Sequence, residues 1–330
     1  DVERSRGLGD VYKRQVAPLR SANEALQQPG LKLAGWGFRP STRGPRALAA
    51  KHGLPFIGLE DGFLRSYGTG RDHPALSVVV DPEGIYYAAT QPSALETLLA
   101  SQANVLTGVG ATYARARQRI VSEGLSKYNL APDLEPGSFL RDGPRILIVD
   151  QTAGDASVEH GLASAASFTA MLAAARREHP DSTIYIKTHP EVSRGVKRGY
   201  LSDVLEDERT VLLRQHASPA SVLRHMDRVY VVTSHMGFEA LLHGIPVTCF
   251  GMPWYAGWGC TDDRITCHRR TRARSVDELF AAAYLHYTRY LNPETHERGT
   301  IFDVIDWLSH QRRMHPVSYT HLTLPTILLV

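Results

Sequence analysis

Short apolar runs alternate with amphipathic segments along most of the chain, and this alternation limits the possible folds more than any other feature. In the second half the apolar runs are "RILIVDQ", "STIYIKTHP", "RVYVVTS" and "IPVTCFG". Helical patterns separate them: "SFTAMLAAARREHP", "ASPASVLRHMD" and "MGFEALLHG". Strands that alternate with helices of this length are typical of parallel β-α-β units.

The first half shows the same alternation. Its strand patterns are "LKLAGWG", "PFIGLED" and "LSVVVD". A helix that ends at Gly53 lies between the first two, and a second helix begins after Ser93, where Glu96 completes a capping box. A longer helical stretch follows and leads to a polar, Pro-rich link at residues 132–144. The tail, residues 275–311, is rich in aromatic residues and is predicted to be helical.

Two such blocks around a link predict an α/β fold of two Rossmann-like domains, at residues 16–140 and 141–290, which face a cleft. The helices of 291–316 are predicted to pack across both domains. Residues 1–15 and 317–330 do not follow the interior pattern and resemble translated adaptor sequence, so they are left out of fold reasoning. Open parallel sheets bind ligands outside the carboxyl ends of their strands, and the motifs below lie at such ends.

Composition excludes several classes of protein. The 330 residues are 43% hydrophobic and 22% charged, with a formal charge of +3, which is too small to indicate nucleic-acid binding. Three cysteines form no C-x-x-C pair, which fits a reducing compartment, and no 18-residue apolar run predicts a membrane span. Local basic runs such as "HRRTRARS" suit an anionic ligand or lipid headgroups, or are solvated faces.

The stretch "LEDGFLRSYG" places adjacent acids, Glu60 and Asp61, on a Gly-containing turn after an apolar run. Acids on a turn are often merely solvated, or cap the next helix. The alternative is a carboxylate pair held at the end of a strand and facing the cleft. Arg65 and Ser66 follow the turn and are candidate contacts to a sugar or acceptor.

Two motifs of the second block favour a nucleotide site. The first ends a strand at Lys187 and places His189 before Pro190, which keeps the imidazole on an extended loop. The second is "VVTSHMGFEALLHGIPV", in which a strand is followed by a helix start that can bind an anion. The candidate donor-binding residues are Lys187, Pro190, Thr233, Ser234, Gly237, Phe238 and Glu239. Structural alternatives remain for each: a loop histidine, an N-cap serine and a first-turn acid.

A second acid cluster follows the strand "RILIVD". Asp150 ends the strand, and Asp155 lies in a Gly-containing loop, as a cap or as a carboxylate in the cleft. Two carboxyl sets are what retaining glycosyl transfer requires. Aromatic residues on a Gly-rich loop, Tyr255 and Trp258, stack on a sugar or pack against the next helix. Gln151, Ser157, Tyr255 and Trp258 complete the candidate sugar and acceptor contacts.

Several cofactor patterns are absent from the sequence. It contains no H-E-x-x-H and no D-x-D, so no metal is implied. It also contains no G-x-G-x-x-G, so the Rossmann-like pattern does not indicate NAD. The expected cofactor set is therefore empty.

Taken together, the motifs resemble the capsule β-Kdo transferases of the KpsC/LipB type, in the form of a single, amino-terminal-like module. The stretches that carry the resemblance are "GWGFRPS", "LEDGFLRS", "DPEGIYYAATQPSALE", "DQTAGDAS", "KTHPEV", "TSHMGFEALLHGIPV", "FGMPWYAGWGCTDD" and "YTRYLNP". Together, and in this order, these stretches extend over almost the whole interior of the chain. The resemblance implies a glycosyltransferase-B fold and retaining transfer from CMP-β-Kdo to a (lyso)phosphatidylglycerol-linked acceptor beneath a capsule.

The resemblance also implies roles for individual residues and a cellular setting. Glu60 or Asp61 acts on the acceptor hydroxyl, His189 contacts the donor phosphate, and Asp155, with Asp150 as the fallback, attacks the anomeric carbon. Expected partners are the glycolipid acceptor at the membrane surface and other capsule assembly and export proteins, with no nucleic acid. The expected location is cytoplasmic and peripheral on the inner membrane. Two alternatives stay open: an inverting CMP-sialic-acid-type transferase, and a non-catalytic protein that binds polysaccharide or assists capsule assembly.

Overall fold

The computed structural model describes Gly30 and residues 32–314, apart from residues 71, 136, 138, 139 and 194. Both predicted adaptor segments, 1–15 and 317–330, lie outside the described residues. The strands are β1 (Leu33–Trp36), β2 (Phe56–Asp61), β3 (Ser77–Asp81), β4 (Arg145–Val149), β5 (Thr183–Lys187), β6 (Thr210–Leu213), β7 (Arg228–Val231), β8 (Val247–Cys249), β9 (Asp262–Asp263), β10 (Thr288–Leu291) and β11 (Arg298–Gly299).

Helices connect and cover these strands. They are α1 (Arg43–His52), α2 (Ala94–Ala100), α3 (Gly110–Ser122), α4 (Ala156–His160), α5 (Ala165–Glu178), α6 (Pro190–Ser193), α7 (Pro219–Leu223), α8 (Met236–Leu242), α9 (Val276–Phe280) and α10 (Ile301–Met314). A short 3₁₀ turn, Pro40–Thr42, precedes α1, and a π-helical segment, Ala281–Tyr287, joins α9 to β10.

The second sheet has the order β6-β5-β4-β7-β8-β9 and is parallel throughout. Its central strands are buried, which explains why they read as continuous apolar runs rather than alternating ones. The parallel β-α-β arrangement predicted for this half of the chain is confirmed. The carboxyl ends of β4, β5 and β7 therefore meet at one edge of the sheet.

The first sheet has the order β1-β2-β3-β10-β11 and is mixed. Strands β1 and β2 are parallel across α1, but β2 and β3 are antiparallel, and β10 pairs with β3 antiparallel. The prediction of a Rossmann-like first block is wrong for this part. The described residues between β2 and β3 form no helix, and antiparallel neighbours do not need a crossover helix.

The sequence predicts a helical tail, but part of the tail forms a strand. The sequence "TRYL" forms β10, which joins the first sheet, and α10 then packs beside α3. The side chain of Arg119 bonds to both Glu123 and Asp306, and so ties α10 to α3. β-Branched and aromatic residues such as Thr288 and Tyr290 favour a strand once a partner edge is available.

The side chain of Glu96 shows how the two halves are joined. Ser93 caps α2 by accepting from the Glu96 amide (3.1 Å), as predicted, but the Glu96 carboxylate does not complete the capping box. It pairs with Arg269 and Arg270 instead. Arg270 and Arg274, both in the basic run "HRRTRARS", are only 7% and 5% exposed. They are therefore not part of a solvated face and are not open to an anionic ligand or lipid headgroup, so both interpretations of the run are wrong for these two residues.

Candidate active site

The acid turn closes β2, and a tryptophan of the neighbouring strand fixes its first carboxylate. Glu60 Oε1 accepts from Trp36 Nε1 (2.8 Å) and from the Asp61 amide (3.0 Å). Burial raises the pKa of Glu60 above its ordinary value, and the positive charge of Lys127 is the largest influence in the opposite direction. Glu60 is half-buried, and so it is still open to a ligand.

Asp61 pairs with Arg65, with 2.9 Å between Oδ2 and Nε. Its other oxygen, Oδ1, is buried and has no hydrogen-bond partner among the described residues. Arg65 also donates to Ser66 Oγ (2.7 Å) and to the His73 carbonyl (3.0 Å). Arg65, a candidate contact to a sugar or acceptor, thus makes these bonds to the acid turn and to the chain that follows it.

Ser66 is 1% exposed and donates to the Gly68 carbonyl (2.6 Å). The loop after the turn thus folds over Ser66, and its role as a sugar or acceptor contact stays a prediction.

Asp155 lies at the start of α4, close to the ends of β4 and β7. Its Oδ1 accepts from the Ser157 amide (2.9 Å), which makes it the N-cap, and its Oδ2 accepts from Gln151 Nε2 (3.3 Å). Gln151 also donates to Thr233 Oγ1 (3.0 Å), and Ser157 Oγ lies 3.1 Å from the same oxygen. Asp155 and Ser157 are half-exposed, whereas Gln151 and Thr233 are buried and hold the two strand ends together.

Asp150 has a different environment. It is 3% exposed, and its Oδ1 accepts from the amides of Gln151 (2.9 Å), Tyr200 (3.1 Å) and Leu201 (3.2 Å). Burial raises its pKa to about 6, against these hydrogen bonds. The carboxylate therefore fixes the loop at 199–201.

His189 lies on the loop between β5 and α6, which begins at Pro190. Its Nδ1 accepts from the Glu191 amide (3.2 Å), so in the neutral ring the proton is on Nε2. Burial lowers the pKa of His189, although the negative charges of Glu191 and Asp155 oppose this. His189 is thus a neutral hydrogen-bond donor at pH 7, and the charge of Asp155 acts on its pKa.

A cavity of about 490 Å³ opens beside this loop, at the carboxyl ends of β4, β5 and β6. Its polar lining includes Asp150, Thr188, Lys197, Arg198 and Arg214. Lys197 and Arg198 are both paired with nearby carboxylates, at 2.9 Å and 2.6 Å, so the cavity offers cationic hydrogen-bond donors to a ligand but little net positive charge.

Lys187 and Glu239 are both buried. Burial lowers the pKa of Lys187 to about 8 and raises that of Glu239 to about 7, and each charge opposes the effect of burial on the other. Glu239 Oε1 also accepts from the Lys127 amide (3.3 Å). The Glu239 carboxylate, a candidate for donor binding, is thus already engaged by the backbone of Lys127.

The predicted phosphate loop divides into an open part and a core part. Ser234 is half-exposed, and its Oγ accepts from the Met236 amide (3.3 Å). Phe238 is 0% exposed, and Gly237 packs against the Tyr255 hydroxyl, so Phe238 is a core residue rather than a donor contact. Thr233 contacts Gln151 and Ser157, as described above.

The aromatic loop at 250–264 is buried as well. Tyr255 and Trp258 are 0% and 1% exposed, and Trp258 Nε1 donates to the Trp254 carbonyl (2.9 Å). The prediction that Tyr255 and Trp258 stack on a sugar is wrong, because both rings form part of the core between α8 and the second sheet.

Tyr87 links the two acid clusters. A Cβ on Gly37 would stand 2.4 Å from the Tyr87 hydroxyl and 2.7 Å from Glu60 Oε2, so these two groups are neighbours. Burial raises the pKa of Tyr87 to about 12, and the charges of Glu60 and Asp155 act in the same direction. Glu60 thus lies beside the Tyr87 hydroxyl, and the Tyr87 ring lies 6.3 Å from that of His160 at the end of α4. The charge of Asp155, at the start of α4, acts on both Tyr87 and His189.

Three residues of this site could not be identified as site residues from the sequence: Trp36, Tyr87 and Lys127. The strand pattern around Trp36 predicted burial but not a bond to Glu60. Tyr87 and Lys127 lie in irregular chain, where no periodicity indicates which way a side chain points. Only the fold brings them to the acid turn.

A metal-binding cluster and a membrane-spanning helix are both absent from the described part of the chain. No group of three or more His, Cys, Asp or Glu residues is arranged to hold a metal ion there. None of the helices in that part has the length and apolar character needed to cross a membrane.

Comparison with known proteins identifies the family. The model for capsule polysaccharide biosynthesis proteins matches residues 32–131 and 131–291. The chain belongs to this family. The resemblance found in the sequence is thereby confirmed.

Curated relatives from this family are longer than the chain. It is 47% identical over 291 residues to the capsule polysaccharide modification protein LipA of Neisseria meningitidis serogroup B, covering 85% of the chain and 41% of that protein. It is 38% identical to the lipopolysaccharide-processing protein LpsZ of Rhizobium meliloti, covering 77% of the chain and 58% of that protein. The chain thus spans about two fifths of LipA.

Solved structures match over nearly their full length. The β-Kdo 2,4-transferase of Thermosulfurimonas dismutans KpsC superimposes with a TM-score of 0.86 at 43% identity, covering 93% of this chain and 95% of that one. The β-Kdo 2,7-transferase of the same KpsC gives a TM-score of 0.68 at 28% identity, covering 92% and 95%. These neighbours support a glycosyltransferase within the capsule family.

Proposed function

We propose that the chain is a retaining, metal-independent β-Kdo transferase that uses CMP-β-Kdo, with its two sheets as the two lobes of a glycosyltransferase-B fold. The observation that carries the proposal is that Tyr87 has Glu60 next to its hydroxyl and lies, with 6.3 Å between ring centroids, beside His160 of the helix that Asp155 caps. The charge of Asp155 also acts on Tyr87 and on His189. The 43% identity to a structure named as a β-Kdo 2,4-transferase supports the sugar.

In the first step of the proposed reaction, a carboxylate oxygen of Asp155 attacks the anomeric carbon. The bond from that carbon to the phosphate oxygen breaks, and CMP leaves with the electron pair. His189 Nε2–H donates to the departing phosphate, and the cationic hydrogen-bond donors of the adjacent cavity stabilise the same charge. The product is a glycosyl ester on Asp155.

In the second step the acceptor hydroxyl attacks the same carbon from the opposite side and releases Asp155. A carboxylate of the acid turn takes the hydroxyl proton. Glu60 is half-exposed and can accept it directly, whereas Asp61 Oδ1, which is buried and has no hydrogen-bond partner among the described residues, can accept it only if the turn opens. Two displacements give net retention.

Asp155 suits the nucleophile better than Asp150 does. Asp150 is buried and receives three backbone amides, so attack would require the loop at 199–201 to open. Asp155 is half-exposed, and its cap bond and the bond from Gln151 fix its orientation.

The acceptor in this proposal is a (lyso)phosphatidylglycerol-linked Kdo that carries the capsule linker, reached by a cytoplasmic protein peripheral to the inner membrane. Other capsule assembly and export proteins are the proposed partners, with no nucleic acid. The support is the family and the names of its members, which concern capsule polysaccharide. No metal or organic cofactor takes part in the proposed steps.

Mass spectrometry after incubation with CMP-Kdo tests the proposal. We expect a Kdo adduct on the wild-type protein that maps to Asp155, with release of CMP. Glu60→Gln should accumulate the adduct, because the first step is intact and the second is slowed. Asp155→Asn should form no adduct and lose transfer by at least about a thousandfold. The exposed Asp142→Asn serves as the matched control and should behave like wild type.

An inverting transferase is the second candidate. The observation in its favour is that the Asp155 carboxylate already makes the N-cap bond expected of a purely structural acid. Inversion needs one acid and no nucleophile. Normal transfer by Asp155→Asn, together with inactive Glu60→Gln and no adduct in any variant, would establish that course and overturn retention. Binding of glycan without any CMP release would instead indicate a non-catalytic assembly protein.

A further inference from the structure

The guanidinium of Arg46, on α1, is held between aromatic side chains close to the acid turn. Its central carbon lies 4.6 Å from the centre of the Phe38 ring and 4.4 Å from the centre of the Phe56 ring. Its Nη2 also donates to the Gly37 carbonyl (3.2 Å). These contacts fix a long side chain that would otherwise sample many rotamers, so the entropy cost of ordering it is already met before a ligand binds.

The same aromatic stack reaches the boundary between the two sheets. The ring of Phe38 stacks on that of His160, with 3.9 Å between centroids, and His160 ends the helix that Asp155 caps. The Phe38 amide donates to the Tyr87 hydroxyl (3.1 Å), and Glu60 lies next to that hydroxyl. The guanidinium is therefore packed against a residue that contacts groups from both sides of the candidate active site.

The charge of Arg46 has no counter-ion in the described part of the chain. The guanidinium forms no ion pair with any described carboxylate, and its Nε is buried without a hydrogen-bond partner among the same residues. Burial lowers the pKa of Arg46, and Tyr87 is the one group that opposes this shift. Arg65, by contrast, is paired with Asp61 at 2.9 Å. An arginine stays charged when it is half-buried, so its unpaired donors favour an anionic ligand.

We propose that Arg46 binds the carboxylate of a sugar acid in the active site and thereby selects Kdo over neutral sugars. The inference rests on the proposed function for the identity of the sugar. The remaining N–H groups of the guanidinium lie in one plane, which is the arrangement that pairs with a carboxylate through two parallel hydrogen bonds. A neutral sugar offers no such partner and leaves the guanidinium unpaired.

Two carboxylates take part in the proposed reaction, that of the donor Kdo and that of the Kdo at the end of the acceptor. The position of Arg46 favours the acceptor, because the stack lies on the first sheet with Glu60, the carboxylate proposed to take the proton of the acceptor hydroxyl. The experiments below separate the two sources.

Binding of two probes tests the contact without any need for transfer. The first probe is the methyl glycoside of β-Kdo, and the second is the same glycoside with its carboxyl group reduced to an alcohol. In NMR titrations the wild-type protein should bind the carboxylate probe about 10–100-fold more tightly. Arg46→Met should bind both probes as weakly as wild type binds the alcohol. Arg46→Lys should keep part of the preference, since it retains the charge but not the planar donors.

The matched control is Arg115→Met. Arg115 is an exposed arginine on α3 whose guanidinium lies 4.8 Å from the centre of the Phe302 ring, so its loss removes a similar contact away from the acid turn. This variant should keep the wild-type preference for the carboxylate probe.

The donor and the acceptor are separated by following each step of the proposed reaction in Arg46→Met. Formation of the Kdo adduct from CMP-Kdo is measured with no acceptor present, and transfer is then measured against acceptor concentration. A normal rate of adduct formation with a KM for the acceptor raised about 10–100-fold assigns the contact to the acceptor carboxylate. Slower adduct formation that Arg46→Lys partly restores assigns it to the donor carboxylate. Either result supports the inference.

Other outcomes overturn it. Wild-type protein that binds both probes equally, or neither, has no site that recognises the carboxylate. A folded Arg46→Met that keeps the preference assigns recognition to another group, and equal weakening of both probes with an unchanged ratio shows that Arg46 only packs against the rings. If Arg46→Met does not fold, the wild-type comparison and Arg46→Lys decide the question. Wild-type protein that binds the carboxylate probe but forms no adduct and releases no CMP contradicts the proposed function, not the contact.

Discussion

Two aspartates five positions apart, Asp150 and Asp155, show how burial and hydrogen bonding decide the role of a carboxylate. Both follow the same strand, and the sequence pattern did not separate them. Asp150 is enclosed and accepts three amides, whereas Asp155 makes one cap bond and keeps part of its surface open. The enclosed acid stabilises a loop, and the open one is available for chemistry.

Asp150→Ala should destabilise the fold without acting on the chemistry directly. The Gln151 and Leu201 amides lose their acceptor, and each unsatisfied buried donor costs about 1–3 kcal/mol, so we expect a loss of about 3 kcal/mol in urea unfolding. Asp203→Ala, in an exposed pair with Arg198, should change stability by less than about 0.5 kcal/mol. Equal stabilities of the two variants would contradict the role given to Asp150.

The same residue predicts a pH dependence. Its pKa in the folded protein, about 6, lies above the unfolded value of 3.8, so the folded state binds the proton more tightly. The contribution of Asp150 to stability is therefore fully present below about pH 4 and is lost as pH rises towards 6. Asp150→Asn should remove this segment of the curve of unfolding free energy against pH. If the unfolding free energy of the variant still fell between about pH 4 and 6, the pH dependence would belong to another group.

At the scale of elements, helix α8 depends on a close approach to the aromatic loop. A Cβ on Gly237 would stand 2.1 Å from the Tyr255 hydroxyl and 3.1 Å from Val231 Cγ2. Gly237→Ala should thus cost about 1–3 kcal/mol by overpacking, although alanine normally favours a helix. Gly44→Ala on α1, where a Cβ meets nothing within 4 Å, should instead stabilise by about 0.5–1 kcal/mol. Thermal unfolding of both variants measures the contrast.

How well an element could be predicted depended on whether its sequence pattern was local. The buried strands of the second sheet and the helices between them carry their own periodicity, and the structure confirms them. Strand β10 does not, because "TRYL" becomes a strand only where β3 offers an edge. For the same reason the acid turn could be predicted but Lys127 could not, and Tyr255 and Trp258 were assigned to a ligand although the fold encloses them.

At the scale of the whole molecule, the two sheets share one hydrophobic core. A single cluster of buried side chains contains Phe63 and Val79 beside the first sheet and Leu147 and Val229 in the second. The rings of Phe38 and His160 stack across the same boundary, with 3.9 Å between centroids. A site assembled from both sheets therefore depends on contacts that resist separation, and we expect the two halves to unfold together.

The ion pairs of Glu96 carry much of this connection. Glu96 is 5% exposed on α2 and binds Arg269 and Arg270, while Arg270 also donates to the carbonyls of Pro253 (2.6 Å) and Ala256 (2.8 Å) beyond β8. Removing one partner of a buried pair leaves an uncompensated charge and costs about 3–5 kcal/mol. Glu96→Ala should therefore destabilise by that amount, whereas Glu83→Ala, an exposed acid before α2, should change stability by less than about 0.5 kcal/mol.

Urea unfolding followed by far-ultraviolet circular dichroism and by tryptophan fluorescence tests the coupling between the halves. The two probes should give one coincident transition in wild type and in Glu83→Ala, because the shared core makes unfolding cooperative. In Glu96→Ala the midpoint should fall and the two transitions should separate, since the link from α2 to the second sheet is broken. Coincident transitions at an unchanged midpoint would show that the core alone joins the halves and that the buried ion pairs contribute nothing to their connection.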